Sequence, residues 1–99
     1  MQNYDYPLNP DWTTQEMIAV VELLSAVEAA YEDGIALATF QARYEAFKQI
    51  VTSIGEEKRL DKSFHQASGY SLYRAVQAMK QAQQSSNAKK MLKMPSERR

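Results

Sequence analysis

His65, the single histidine of the chain, and Asp61, four residues before it, are the residues whose types best suit a metal ion. On a helix this spacing would place both side chains on one face, as two ligands of one metal require. The sequence contains no cysteine and no second histidine to complete a zinc site. The helical wheel also turns His65 away from its neighbouring apolar stripe. We therefore expect no metal and no other cofactor.

Other catalytic arrangements are not indicated by the residue pattern. No serine lies in a nucleophile-elbow motif, and the three glycines are isolated, so they form no phosphate-binding loop. Carboxylates are plentiful, but paired catalytic carboxylates act across a cleft, which one small helical layer rarely provides. We therefore predict that the protein is not an enzyme.

Glu28 is a carboxylate that falls within an apolar helix face. A carboxylate in that position must be paired or protonated. If helix 1 folds back on helix 2 at Gly34, position 28 comes opposite residues 41–43, so we expect a buried ion pair between Glu28 and Arg43 at the edge of the bundle. The alternative is a carboxylate that binds a partner or handles a proton.

Residues 68–74, with the sequence SGYSLYR, lie between two predicted helices and have the pattern of a helix-turn-helix. The second of these helices would present side chains of the types that contact phosphates and bases. We treat them as a candidate interaction surface: Tyr73, Arg74, Gln77 and Gln81. The charge balance disfavours nucleic acid, because residues 1–84 carry seven bases and eleven acids and the pI is about 6.6.

Charges are segregated along the chain, although the net charge is zero. Residues 1–42 carry seven acids and no base, whereas residues 43–99 carry twelve bases and five acids. In a chain this short we expect the two halves to attract each other in the fold, although such asymmetry can also mark two partner surfaces. Residues 88–99 carry five bases and one acid. We expect a flexible basic tail that is dispensable for folding and provides any weak affinity for polyanions such as RNA or an anionic membrane.

Capping signals delimit four helices. Thr13 and Glu16 have the spacing of a capping box, which predicts helix 1 from about residue 14 to residue 33, ended by Gly34. Helix 2 should end near Thr52. Ser53 is the expected N-cap of helix 3, Gly69 its end, and Ser71 the N-cap of helix 4.

Each predicted helix carries an apolar stripe with helical spacing. The third stripe is narrow, which predicts that helix 3 lies at the edge of the core. No segment alternates with period two over a useful length, so we predict no strand. The stripes are Met17, Val20, Val21, Leu24, Val27 and Tyr31, flanked by Ile18 and Leu23; then Leu37, Phe40, Tyr44, Phe47 and Val51; then Leu60, Phe64 and Ala67; and finally Leu72, Ala75, Val76, Met79 and Ala82.

The 99 residues suffice for one domain. We predict an all-α fold, a compact antiparallel four-helix bundle over residues 1–87, with an extended N-terminal strap packed by Tyr4, Tyr6 and Trp12 and the basic tail at residues 88–99. The N-terminus lacks the pattern of a secretion signal, and no segment is apolar enough to span a membrane. These features predict a cytoplasmic protein.

Six segments of the chain have a family-like order and spacing: residues 6–8, 11–14, 27–35, 47–51, 56–60 and 68–74. Together they resemble the YktA-like family, a family of short uncharacterised proteins of low-GC Gram-positive bacteria. The resemblance covers roughly residues 4–80 and implies an all-helical cytoplasmic protein, with no particular chemistry. Two features depart from the family pattern, since the family tends to have proline at the position of Thr52 and the tail after Asn87 does not match.

The sequence therefore favours a non-enzymatic protein–protein interaction module, whose partner is another protein or a second copy. The alternative is a nucleic-acid-binding protein that uses the helix 3/helix 4 unit and the basic tail. Salt-dependent retention on nucleic acid would distinguish the two.

Overall fold

The computed structural model describes residues 8–84 and 91–95. It contains four helices: α1 (Thr14–Glu32), α2 (Leu37–Lys48), α3 (Ile54–Ser68) and α4 (Leu72–Gln84). Two strands of two residues each, β1 (Ile35–Ala36) and β2 (Met91–Leu92), complete the described elements. The expected compact all-α bundle is confirmed. Of the three aromatic residues of the predicted strap, Trp12 packs against the core, while Tyr4 and Tyr6 lie outside the described residues.

The ends of α1 form as the capping signals predict. The Glu16 backbone N–H donates to Thr13 Oγ1 at 3.1 Å, and the Thr13 N–H donates to Glu16 Oε1 at 2.9 Å, which completes the capping box. At the other end Gly34 has a φ of +92°, and its N–H donates to the Ala29 carbonyl at 2.7 Å. Only glycine adopts this left-handed conformation without strain, so the chain turns here.

The boundaries of α3 and α4 also follow the sequence. The Ser53 hydroxyl accepts from the Glu56 N–H at 3.3 Å, and the Ser71 hydroxyl accepts from the Arg74 N–H at 3.1 Å. Gly69, with a φ of +83°, ends α3 through a hydrogen bond from its N–H to the His65 carbonyl. Local side-chain chemistry therefore sets where three of the four helices begin.

The core is formed by inward faces of all four helices, and its composition corrects two of the predicted stripes. Ile18 is 48% exposed, whereas Leu23, Ala26 and Ala30 are buried. The reason is that α1 is covered by both α2 and α4, so its buried face is wider than one stripe and rotated away from Ile18. Ala67 is also exposed. All five residues of the α4 stripe are buried as predicted.

The helices are arranged so that α4 contacts each of the other three, while α3 packs mainly on α4. This confirms the expected edge position of α3. An ion pair between Lys48 Nζ and Glu57 Oε1, 2.7 Å long, joins the end of α2 to the start of α3. In the described part of the chain, no helix has the length and apolarity needed to cross a membrane.

The prediction of no strand is wrong at one end of the bundle. β1 and β2 pair antiparallel, with Ile35 opposite Leu92 and Ala36 opposite Met91. Within the predicted tail, Leu92 and Met94 are buried in the core at 4% and 6% exposure. Residues 91–94 therefore pack on the domain and are not a detached tail. Leu92 and Met94 are two residues apart, as on a strand with one buried face, but two apolar positions are too few to predict a strand from the sequence. Residues 85–90 and 96–99 lie outside the described residues.

Candidate interaction surfaces

The four candidate residues of α4 lie on its outer face. Tyr73 is 63% exposed, Arg74 and Gln81 are exposed, and Gln77 is half-buried. The opposite side of the helix carries the buried stripe, so the amphipathic pattern alone determines this orientation. The structure thus brings these residues together, and their role in binding stays a prediction.

Asp61 caps the start of α4 from the neighbouring helix. Its Oδ1 accepts from the Leu72 N–H at 2.8 Å, and its Oδ2 accepts from the Tyr73 N–H at 3.2 Å. These are N–H groups that a helix leaves without an internal partner, and a carboxylate there interacts favourably with the helix dipole. The N-terminus of α4 therefore already binds an anion of the chain itself.

His65 has a separate role from that of Asp61. Its Nδ1 lies 3.1 Å from the Tyr70 carbonyl oxygen, across the turn between α3 and α4. Within residues 8–84 and 91–95, no three residues of the types His, Cys, Asp and Glu are grouped so as to hold a metal ion. The structure assigns both side chains to the α3–α4 connection.

The α3–α4 turn is anchored on the end of α1. The rings of Tyr31 and Tyr70 stack with their centroids 4.6 Å apart. The Tyr70 hydroxyl donates to Glu32 Oε2 at 2.8 Å, and the Ser71 N–H donates to the Tyr31 hydroxyl at 3.4 Å. The segment with the helix-turn-helix pattern is therefore fixed in the bundle by contacts with α1.

The ion pair that the structure places at Arg43 is with Glu22, not with a buried carboxylate. Arg43 Nη1 lies 2.7 Å from Glu22 Oε1, and both side chains are substantially exposed. Because α1 and α2 are antiparallel, this contact places position 28 of α1 opposite about position 37 of α2. Position 37 is six residues before Arg43, which is roughly 9 Å along the helix axis. Glu28 itself is half-buried. The Glu28–Arg43 pair stays a prediction, and the observed register disfavours it.

Tyr44 lies at the α2–α3 contact, close to Glu57 and Lys48. Burial raises the pKa of the Tyr44 phenol, and the Glu57 carboxylate raises it further by repulsion and by a hydrogen bond. The nearby Lys48 ammonium lowers this pKa and only partly offsets the increase. The Tyr44 phenol therefore loses its proton only at a higher pH than an ordinary tyrosine does.

An open groove of about 360 Å³ runs along the outer surface between α1 and α2. We call it the α1–α2 groove. A second depression of about 230 Å³ shares Glu22, Thr39 and Arg43 with it and extends it towards the end of α1. Most of the side chains that line the first part are small: Ala19, Ala38, Thr39, Ala42 and Ala46, together with the Glu22–Arg43 ion pair.

The sequence of α2 explains this groove. Leu37, Phe40 and Phe47 occupy the inward side of the helix, and alanines recur at every fourth position on the outward side. Small side chains on adjacent helices let another backbone approach closely. The signal for this groove in the sequence is the four-residue spacing of Ala38, Ala42 and Ala46. A search for catalytic and basic residues does not detect it.

The fold and these surfaces define a small four-helix protein with its grooves on the outside of the bundle. The model of Uncharacterised protein family (UPF0223) matches residues 3–88, and the chain belongs to that family. The UPF0223 protein lmo1058 of Listeria monocytogenes is 54% identical over 79 residues, which cover 80% of this chain and 88% of the relative. A UPF0223 protein of Enterococcus faecalis is 52% identical over 80 residues, covering 81% of this chain and 87% of the relative. The expected membership of a family with relatives in low-GC Gram-positive bacteria is confirmed.

Proposed function

We propose that this protein is a non-enzymatic protein–protein interaction module of the cytoplasm, and that the α1–α2 groove receives a helix of its partner. The observation that carries the proposal is the run of exposed alanines along this groove. A partner helix can approach these positions closely and bury apolar backbone and side-chain surface.

Two features beside the alanines support this use of the groove. Ile18 is an exposed apolar residue of α1 and directly precedes Ala19, which lines the groove. The Glu22–Arg43 pair crosses its centre and provides polar groups that can fix the register of a bound helix. An apolar surface with a few placed charges is typical of protein interfaces rather than of catalytic clefts.

The nucleic-acid alternative is less well supported by the same structure. In a helix-turn-helix the start of the second helix approaches the nucleic acid, but the start of α4 carries the Asp61 carboxylate. That negative charge would repel a phosphate and already satisfies the N–H groups that would bind one.

The proposal is tested with a matched pair of substitutions, Ala42→Gln in the groove and Ala67→Gln on α3. Both alanines are exposed helix residues, and glutamine keeps helix propensity, so both variants should unfold within about 0.5 kcal/mol of the wild type. The measurement is the set of proteins cross-linked in cells and recovered with each variant.

We expect Ala67→Gln to recover the same cross-linked partner as the wild type and Ala42→Gln to lose it. If Ala42→Gln keeps the partner, the groove is not the interface. A third outcome is that neither the wild type nor Ala67→Gln recovers a partner, and that the wild type is instead retained on duplex DNA in a salt-dependent manner. If Arg74→Ala abolishes that retention, the nucleic-acid alternative is correct.

A further inference from the structure

The C-terminal segment of residues 91–94 fills a groove at the end of the bundle where α1 meets β1. Besides the β1–β2 pairing, the Met94 N–H donates to the Ala30 carbonyl at 2.7 Å. Leu92 and Met94 are buried, whereas Met91 and Lys93 are exposed. The segment therefore binds as an extended strand, with backbone hydrogen bonds and two apolar side chains placed two residues apart.

The acceptor for this strand, which we call the acceptor groove, is built by the body of the domain. The Ala30 carbonyl belongs to the last turn of α1, where carbonyls lack partners within the helix. At Gly34 the strand passes so close that a Cβ there would lie 3.5 Å from the Leu92 carbonyl oxygen and from Lys93 Cβ. β2 also contacts α2 and α4, so the groove has a floor as well as an edge.

Charge complementarity accompanies this fit. The end of α1 carries the exposed acids Glu32 and Asp33 and no base in its last turn, and the helix dipole adds negative potential there. The segment that contains the strand carries Lys89, Lys90 and Lys93. A basic extended peptide is therefore attracted to this end of the bundle.

The acceptor and its occupant also differ in their relation to the family. The edge of the acceptor groove is formed by Gly34, Ile35 and Ala36, and the groove ends at the Ala30 carbonyl. All four residues lie inside the region of residues 3–88 that matches the family model. The strand at residues 91–94 lies beyond that match. The groove is thus part of the family-matched body, while its occupant here comes from outside it.

We propose that the acceptor groove is a peptide-binding site for an extended basic segment of a partner protein with apolar side chains two residues apart, and that residues 91–94 are its internal competitor. Binding is by strand addition to β1, in which backbone hydrogen bonds give affinity and the two apolar positions give specificity. The side chains that line the α1–α2 groove itself are not part of this site, although the depression that extends that groove shares Ile35 with it. Its test is therefore independent of the proposed function.

The test uses the protein truncated after Asn87 and a fluorescent peptide of residues 88–99. Circular dichroism first shows that the truncated protein is folded, and fluorescence anisotropy then measures binding. The control peptide carries Leu92→Ser and Met94→Ser, which keep its charge. We expect the control peptide to bind at least about 10-fold more weakly, because it lacks the two buried apolar side chains.

The full-length protein gives a second comparison. A tethered segment competes at an effective concentration of about 1 mM. For a peptide that binds the truncated protein with a Kd of about 50 µM, the internal strand should therefore weaken binding to the full-length protein by about 20-fold. Amide exchange should show the peptide protecting a backbone N–H of β1 in the truncated protein.

Three results would overturn the proposal. The first is that the truncated protein folds but does not bind the peptide, and the second is that it binds both peptides equally. The third is that the full-length protein is a dimer with exchanged strands, because a second copy would then be the occupant of the groove. If the truncated protein does not fold, a protease site placed between Gln84 and Met91 of the full chain is cut after folding. The labelled peptide should then replace the cut strand, and a folded protein that does not exchange it would equally contradict the proposal.

Discussion

Replacement of Leu92 by alanine measures how firmly the C-terminal strand is docked. Burying Leu92 and Met94 contributes about 3–6 kcal/mol, and each backbone hydrogen bond of the strand contributes about 1 kcal/mol. Ordering four residues costs about 4–8 kcal/mol. With about three such hydrogen bonds, the middle values of these ranges leave a net free energy of docking of about 1.5 kcal/mol.

This balance limits the effect of the substitution. A buried leucine in a rigid core costs about 2–5 kcal/mol when truncated to alanine. The strand, however, can leave the groove, and the loss cannot then exceed the free energy of docking. We therefore expect Leu92→Ala to lower the free energy of unfolding by about 1–2 kcal/mol, and Lys93→Ala, whose side chain is exposed, by less than about 0.5 kcal/mol.

Urea denaturation followed by circular dichroism gives the two free energies, and amide exchange at Met94 reports release of the strand. Leu92→Ala should increase exchange at Met94, since the hydrogen bond to Ala30 is lost when the strand leaves. Equal stability and equal exchange in the two variants would show that the strand is not docked. A loss of about 4–5 kcal/mol for Leu92→Ala would show that it is a permanent part of the core, with no freedom to leave.

Three further predictions concern the body of the domain. Leu24→Ala should destabilise the protein by about 2–5 kcal/mol in urea, because Leu24 is fully buried on α1 and cannot move out; a change below about 0.5 kcal/mol would refute its core position. Asp61→Ala should cost about 1–2 kcal/mol, with increased amide exchange at the start of α4, since two capping hydrogen bonds are lost. The pKa of Tyr44 is raised in the folded state, so Tyr44 should stabilise the protein at neutral pH, and this contribution should be lost as the pH rises through the raised pKa. An ultraviolet titration should show one tyrosine that ionises at a higher pH than the others and is absent in Tyr44→Phe. The same titration curve in the wild type and in Tyr44→Phe at high pH would contradict this.

The sequence by itself determined the helices and most of their inward faces, because the signals involved are local. The Thr13–Glu16 capping box, the glycine at position 34 and the α4 stripe each depend on residues within one or two helical turns. Such interactions form in the same way whatever the rest of the chain does. The candidate residues on the outer face of α4, such as Tyr73, followed from the same periodicity.

Only the tertiary structure decided which surfaces are available for binding. Asp61 caps a helix eleven residues further along, Arg43 pairs with Glu22 because of the α1–α2 register, and Leu92 reaches β1 across more than fifty residues of chain. None of these contacts leaves a periodic trace in the sequence, since each needs two elements to be packed before the partners meet. The basic composition of residues 88–99 predicted a solvated tail, but burial of Leu92 and Met94 is decided by the shape of the groove, which exists only once the helices are assembled.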